Sequence, residues 1–201
     1  GCVDPCTEET MGEAQTFGLC AAHFSPAEVT VTAGGFGHDD VHELVSGPPR
    51  GSMDVVSLGC GGSIVIDLGP DGAHNDGGAD FVVFENPFSV DFPEPAQVWV
   101  SADGCEWAQF ECAADGDLDG CAGRTPTEVV WGEESSGWDA VNAGGDLFDL
   151  EVVAVDWIRF VRLIAQSESY WSRREGGWCD PGMGGKGGFD LDAIAVVNPN
   201  R

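Results

Sequence analysis

The chain has 201 residues, with 35 acidic against 8 basic residues and a formal net charge of −27. A surface of that sign repels nucleic acid and anionic lipid, which makes both poor partners, and attracts cations. With 42 % apolar residues and 30 glycines it is not a disordered acidic tail. Its length suits a single domain, residues 1–201, with a core large enough that disulfides reinforce the fold and do not replace it.

Eight cysteines (Cys2, Cys6, Cys20, Cys60, Cys105, Cys112, Cys121 and Cys179) are scattered and form no paired C-x-x-C knuckles. The pattern predicts a disulfide framework and an oxidising compartment, so a secreted or outer-surface protein, and argues against zinc. Local spacing supports one pair, Cys112–Cys121, and leaves the other connectivity open. Gly1-Cys2 also reads as a lipoprotein cleavage site with a lipid anchor at Cys2; the even cysteine count favours a disulfide there. No run is long and apolar enough to span a membrane, and no signal peptide is evident, so the sequence reads as a mature chain.

In chain order, residues 1–25 carry three cysteines and no clear period, and read as a stapled N-terminal segment lying on a body formed by 26–197. The first clean strand is expected over Glu28–Thr32. His38 and His42 have an i, i+4 spacing, but the Gly and Pro around them favour a solvated turn over a zinc site. Asp54–Leu58 reads as a strand. Ser63–Leu68 and Asp80–Glu85 are nearly continuous apolar runs separated by a loop holding Asp71, His74, Asn75, Asp76 and Asp80, and are expected to form a buried central hairpin. Gln97–Ser101 and Glu106–Phe110 flank Asp103-Gly104, a second hairpin. Thr127–Trp131 is a weaker strand, Val152–Ile164 the longest β-rich run, and Gly188–Val197 the closing strand. No helix of more than about two turns is expected. Short strands with turn signals between them predict an all-β sandwich of two antiparallel sheets with long Gly-rich loops and little helix.

The pattern Val98-x-Val100-Ser101-x-Asp103-Gly104-x-x-Trp107, then Ile158–Leu163 and Gly188–Ala193, resembles discoidin-like (F5/8 type C, galactose-binding-like) jelly rolls. The segments GGSIVIDLG, DFVVFENPF, GGDLFDL and GFDLDAIAVV are similar to a group of uncharacterised bacterial cell-surface and secreted proteins. The resemblance implies a jelly-roll β-sandwich with structural calcium and a binding or adhesive role.

Three constellations are candidates for chemistry. Asp115-Gly116-Asp117-Leu118-Asp119-Gly120 matches the opening of a calcium loop, with carboxylates at alternate positions and a glycine for the turn. Pro126 stands where the closing glutamate of that loop belongs, and the competing reading is a solvated acidic hairpin tip. Second, Asp190 and Asp192, two apart on the last strand, are expected to share a face. Asp80, Glu85, Asp146 and Asp149 lie at comparable strand edges. One calcium held by a subset of Asp71, Asn75, Asp76, Asp80, Glu85 and Asp190 would tie the central hairpin to the C-terminus; salt bridges to Arg159, Arg162, Arg173 or Arg174 are the alternative. Third, Trp131, Trp138, Trp171 and Trp178 sit in or beside loops, where aromatic rings suit a saccharide face or a protein partner, or cap the sandwich ends. Trp99, Trp107 and Trp157 lie in strands and read as core.

No G-x-S-x-G, H-E-x-x-H or phosphate-cradling glycine loop is present, so no catalytic residue is assigned and the chain reads as a non-enzyme. The expectation is a calcium-stabilised, disulfide-braced module that binds carbohydrate, extracellular matrix or a protein partner, possibly itself. A self-assembling subunit of a surface layer or extracellular filament is the alternative, and a carbohydrate-active enzyme the third.

Overall fold

In the computed structural model the described residues are 2–6, 18, 20–25, 40–50, 54–86, 93–114, 116–127, 141–171, 173 and 188–197. They form a jelly-roll β-sandwich of two facing antiparallel sheets with little helix. The larger sheet takes β1 (Cys20–Ser25), β3 (Ser63–Asp67), β11 (Phe160–Ala165), β6 (Ala96–Ser101) and β7 (Ala108–Gln109) in that spatial order, with β8 (Cys121–Ala122) on the far end of β6. The smaller has the order β2 (Val56–Ser57), β12 (Asp190–Val196), β5 (Phe81–Glu85), β9 (Asp146–Phe148). A short pair of β4 (Ala73–His74) and β10 (Trp157–Ile158) closes one end. The helices α1 (Val41–Val45) and α2 (Glu168–Trp171) are a turn or so each.

The core lies between the sheets. Ile64 and Ile66 of β3, Val98 and Val100 of β6 and Val161 and Leu163 of β11 meet Phe81 and Val83 of β5 and Ile194 and Val196 of β12. These are alternate residues on each strand, as a two-residue period requires. The outer face of the smaller sheet is also covered: Val82 and Phe84 join Ala143, Ala193 and Ala195 in a second cluster. Two covered faces explain the unbroken apolar run of β5.

The expected hairpin of Ser63–Leu68 with Asp80–Glu85 does not form. Those segments are β3 and β5, central strands of opposite sheets: β3 pairs with β1 and β11, and β5 with β12 and β9. The loop between them crosses the sandwich and contributes β4 on the way. Each run is apolar on both sides because each is an interior strand. The second hairpin forms as β6–β7, with Trp99 opposite Gln109 and Val100 opposite Ala108. Its turn is set by Asp103, whose Oδ1 accepts from the N–H groups of Cys105 and Glu106 and from Ser101 Oγ, all near 3 Å. Gly104 adopts φ 74°, and a Cβ there would stand 2.5 Å from the carbonyl oxygen of Val3. The Cys2–Cys105 disulfide and the Val3 N–H to Gly104 O bond fasten the N-terminal segment to this turn.

The β-rich run Val152–Ile164 is not one strand. Asp149 caps a 3₁₀ turn over Leu150–Val153 by accepting from Glu151 N–H, Ala154 takes a left-handed conformation (φ 53°), and extended structure resumes at Trp157. A cap and a left-handed residue are local devices that override β propensity. The N-terminal segment also differs from expectation, since Cys20–Ser25 is a strand of the larger sheet. Glu28–Thr32 lies outside the described residues, as does His38. Residues of the Thr127–Trp131 run after Thr127 do too, and Thr127 itself makes an isolated bridge to Gly144.

Candidate functional site

Alternation along β6, β7 and β11 sends one set of side chains inward and another out. Val98, Val100, Val161 and Leu163 point into the core, so Gln97, Trp99, Arg162 and Ile164 occupy the outer face of the larger sheet, with Trp107 and Gln109 beside them. Trp99 stands between Arg162 and Gln109 in register. Its indole N–H donates to Gln97 Oε1 at 3.4 Å, and Gln109 Nε2 donates to the same oxygen at 3.2 Å. The Arg162 guanidinium lies 3.8 Å above the centre of the Trp107 ring. Partial burial draws the Arg162 pKa down from its ordinary value, and an arginine remains charged regardless. Trp99 and Trp107 are half-buried, not core as their strand positions suggested. Two indoles, two amides and a guanidinium therefore share a solvent-facing patch built on rigid strands. Flat apolar faces and directional donors in one place match the two surfaces of a pyranose ring.

The end of the sandwich closed by β4 and β10 carries a smaller aromatic group. Trp157, also read as core, is half-buried and donates its indole N–H to Asp71 O at 2.9 Å; exposed His74 lies opposite it in register, with ring centres 6.3 Å apart. Asn75 N–H donates to Asp156 O at 3.0 Å.

The predicted metal residues divide among several places. Asp115 lies outside the described residues. Asp117 and Asp119 are exposed; Asp117 Oδ1 accepts from Asp119 N–H at 3.3 Å, which with other backbone bonds lowers the Asp117 pKa, and Asp119 pairs with Arg124. The Cys112–Cys121 disulfide closes this loop. Asp80 is buried and its oxygens are engaged, accepting from Asp76 N–H at 3.0 Å and Leu150 N–H at 2.8 Å. Glu85 stands at the other end of β5, ~17 Å away along a strand of this length. One ion cannot reach both, so a single calcium held by a subset of Asp71, Asn75, Asp76, Asp80, Glu85 and Asp190 would take either the Asp80 end of β5 or the Glu85 end, not both.

The shared face of Asp190 and Asp192 also needs correction. A bulge in the β12–β5 register between Leu191 and Ala193 interrupts the two-residue period at Asp192. Asp192 is buried and accepts from Arg50 N–H at 2.7 Å, whereas Asp190 lies beside Glu85.

Glu85, Asp146 and Asp190 do come together, with Glu94 as a fourth acid that nothing in the sequence singled out. Glu94 follows Pro93 and precedes Pro95, a context with no period to read. Its Oε1 accepts from Gly188 N–H at 2.6 Å. Asp146 accepts from the N–H groups of Gly123, Arg124 and Thr125 at 2.7–3.1 Å, yet burial outweighs those bonds and its pKa is raised. Gly123 has φ 86°, and a Cβ there would lie 2.6 Å from Glu94 O, so only glycine lets this segment pass so close. Glu85 is 1 % exposed and its Oε1 has no hydrogen-bond partner. Burial first, then the charges of Glu94, Asp190 and Asp146, push its pKa well above the ordinary carboxylate range. Either a proton or a cation relieves such a group. Among the described residues no three His, Cys, Asp or Glu side chains are gathered into a ready-made metal cage.

Beside this group an open groove of about 650 Å³ runs along β9, floored by Phe110 and Phe148 and edged by Arg124, Asn142 and Asp149. Val141, Leu147 and Val152 line it too, at 41, 46 and 73 % exposed. Of the four loop tryptophans, Trp131, Trp138 and Trp178 lie outside the described residues, and Trp171 ends α2.

No protein-family model matches the chain, and no curated protein matches it. Among solved structures it is similar to "CpGH89CBM32-6 produced by Clostridium perfringens", at 16 % identity over 84 % of this chain and 90 % of that one, with a TM-score of 0.34. At that identity and score the likeness says nothing of ligand or activity.

Proposed function

We propose that this chain is a secreted or surface-displayed binding module for carbohydrate, stabilised by calcium and without catalytic turnover. The observation that supports it best is the patch of Trp99, Trp107, Gln97, Gln109 and Arg162 on the outer face of the larger sheet. Half-buried indoles on a rigid sheet are costly to leave bare unless something covers them, and amide and guanidinium donors fix the orientation of what does. Disulfides at Cys2–Cys105 and Cys112–Cys121 agree with an oxidising compartment. No described helix is long and apolar enough to cross a membrane.

Calcium belongs to the proposal through Glu85. A carboxylate with an unpartnered buried oxygen among three further acids fits a hard cation, and Glu85 with Asp190 would hold it. The ion's contribution would be to neutralise that cluster and keep β5 and β12 together at their shared end.

A glycan array with the full chain tests the binding reading. The expected result is capture of at least one glycan class, recovered unmodified, with Trp99→Ala weakening it about tenfold or more. An array with no bound glycan, or binding indifferent to Trp99, overturns it. Modified sugars would place the chain among carbohydrate-active enzymes.

The groove along β9 favours a second reading, self-assembly. Val141, Leu147 and Val152 gather exposed aliphatic surface beside a sheet edge, which is where strands of separate chains meet. Concentration-dependent sedimentation abolished by Val152→Glu would support it, and a monomer at all concentrations would exclude it.

A further inference from the structure

Arg162 is set apart from the other described arginines by what it lacks. Arg50 lies 3.8 Å from Glu43, Arg124 pairs with Asp119, and Arg159 forms a two-pronged pair with Asp67 at 2.9 Å. Arg173 has a partner as well. Arg162 makes no hydrogen bond or ion pair with any described residue, and lies instead over the Trp107 ring. In a chain with 35 acidic residues against 8 basic ones, a partly buried guanidinium without a carboxylate runs against the composition.

The strand register explains how it stays that way. Arg162 is flanked by Val65 on one side and Trp99 on the other, and neither side chain can accept a charged hydrogen bond. The indole of Trp107 holds the guanidinium by its face through a cation–π contact. A guanidinium held over a ring in this way spends none of its N–H groups on the ring's edge, and they keep the fork geometry that matches a planar oxyanion. An arginine held over an indole, with no acidic neighbour among the described residues, has its side-chain entropy already reduced and its charge still available.

We propose that the glycan bound on this face is acidic, a uronic acid or other carboxylated sugar whose carboxylate pairs with Arg162 while a ring stacks on Trp99. Gln97 and Gln109 would then meet hydroxyls of the same residue. The inference rests on the carbohydrate reading and adds the charge of the sugar to it. The net charge of the protein does not oppose it at contact, because repulsion from distant carboxylates is screened beyond roughly 8 Å at physiological salt.

The test is calorimetric titration of the full chain, at fixed calcium, with oligogalacturonate and alginate oligomers, each against its carboxyl-reduced neutral counterpart. The expected result is that at least one uronide binds about tenfold more tightly than its reduced form, the size of a charge-assisted bond. Arg162→Gln should bring that ratio to about one, whatever affinity it leaves for the reduced sugar. Arg162→Lys, which keeps the charge and loses the fork, should retain part of the preference, and guards against a folding defect in the first variant. Equal binding of charged and neutral forms, or a preference that survives Arg162→Gln, overturns the inference and leaves the carbohydrate reading standing. Binding of neutral glycans alone also overturns it. Failure to bind any glycan defeats both.

Discussion

Glu85 and Asp67 are both buried carboxylates on central strands, and their surroundings differ in kind. Asp67 receives two bonds from Arg159 at 2.9 Å, one from Gly69 N–H at 2.8 Å and one from Cys6 N–H at 3.0 Å. Asp67→Asn would leave the guanidinium without its counter-charge and break a two-pronged pair. The expected cost is about 3 kcal/mol, read as a shift of the urea midpoint; a shift below about 1 kcal/mol would mean that water takes over the role of the carboxylate. Glu85 has the opposite problem. Its raised pKa means that the folded state holds a proton the unfolded chain has released, so stability falls as pH rises from the ordinary carboxylate range through the raised value. Glu85→Gln removes that dependence. In chelator it should raise the melting temperature at neutral pH by a few degrees, about 1 kcal/mol being worth roughly 2–4 °C at this size, and the gain should vanish near pH ~4. Calcium should then raise the melting temperature of the native chain and not that of the variant. A calcium effect that persists in Glu85→Gln would move the ion elsewhere.

At the scale of elements, two turns show how local chemistry sets the path of the chain. The Asp103-Gly104 step was legible because its signals are local: a carboxylate that bonds the next two amides and a glycine in the left-handed region. Gly104→Ala would add a Cβ 2.5 Å from Val3 O and strain the backbone, and the expected loss is about 1–2 kcal/mol with the N-terminal segment loosened first. Hydrogen exchange at Val3 N–H, which bonds Gly104 O, reads that directly. The acidic loop from Cys112 to Cys121 is closed by its disulfide, and replacing both cysteines with serine is expected to cost about 2–3 kcal/mol on the loop-entropy estimate. If calcium is held by this loop, the double variant should also lose its response to the ion; an unchanged response assigns calcium to the Glu85 group. The run Val152–Ile164 is β-rich throughout, yet a cap and a left-handed residue break it into a 3₁₀ turn and extended strand. Asp149 and Ala154 turn the chain before the strand begins; Asp149 is of a capping type, but nothing about an alanine signals the left-handed conformation it takes here.

Over the whole molecule the net charge of −27 is a long-range term spread across the surface. Raising salt from ~0.01 M to ~0.15 M shortens the screening length from ~30 to ~8 Å, so the melting temperature should rise as self-repulsion fades. A fall would mean that attractive pairs such as Asp67–Arg159 outweigh the repulsion. The sequence by itself determined the class of fold, because a two-residue apolar period with Gly, Pro and Asp punctuation admits few alternatives to a sandwich. It determined as well that the surface is anionic and that Cys112 and Cys121 are close enough to bond, since composition and a nine-residue separation need no tertiary information. Only the tertiary structure decided that β3 and β5 belong to opposite sheets, because an apolar run does not name the strand it pairs with. It also decided that Trp99 and Trp107 face solvent beside Arg162. Burial depends on which of two strand faces meets the opposing sheet, and that is set by packing between segments distant in the chain. The meeting of Glu85, Glu94, Asp146 and Asp190 has the same origin: four acids from separate stretches of sequence are brought to one edge by the order of the strands.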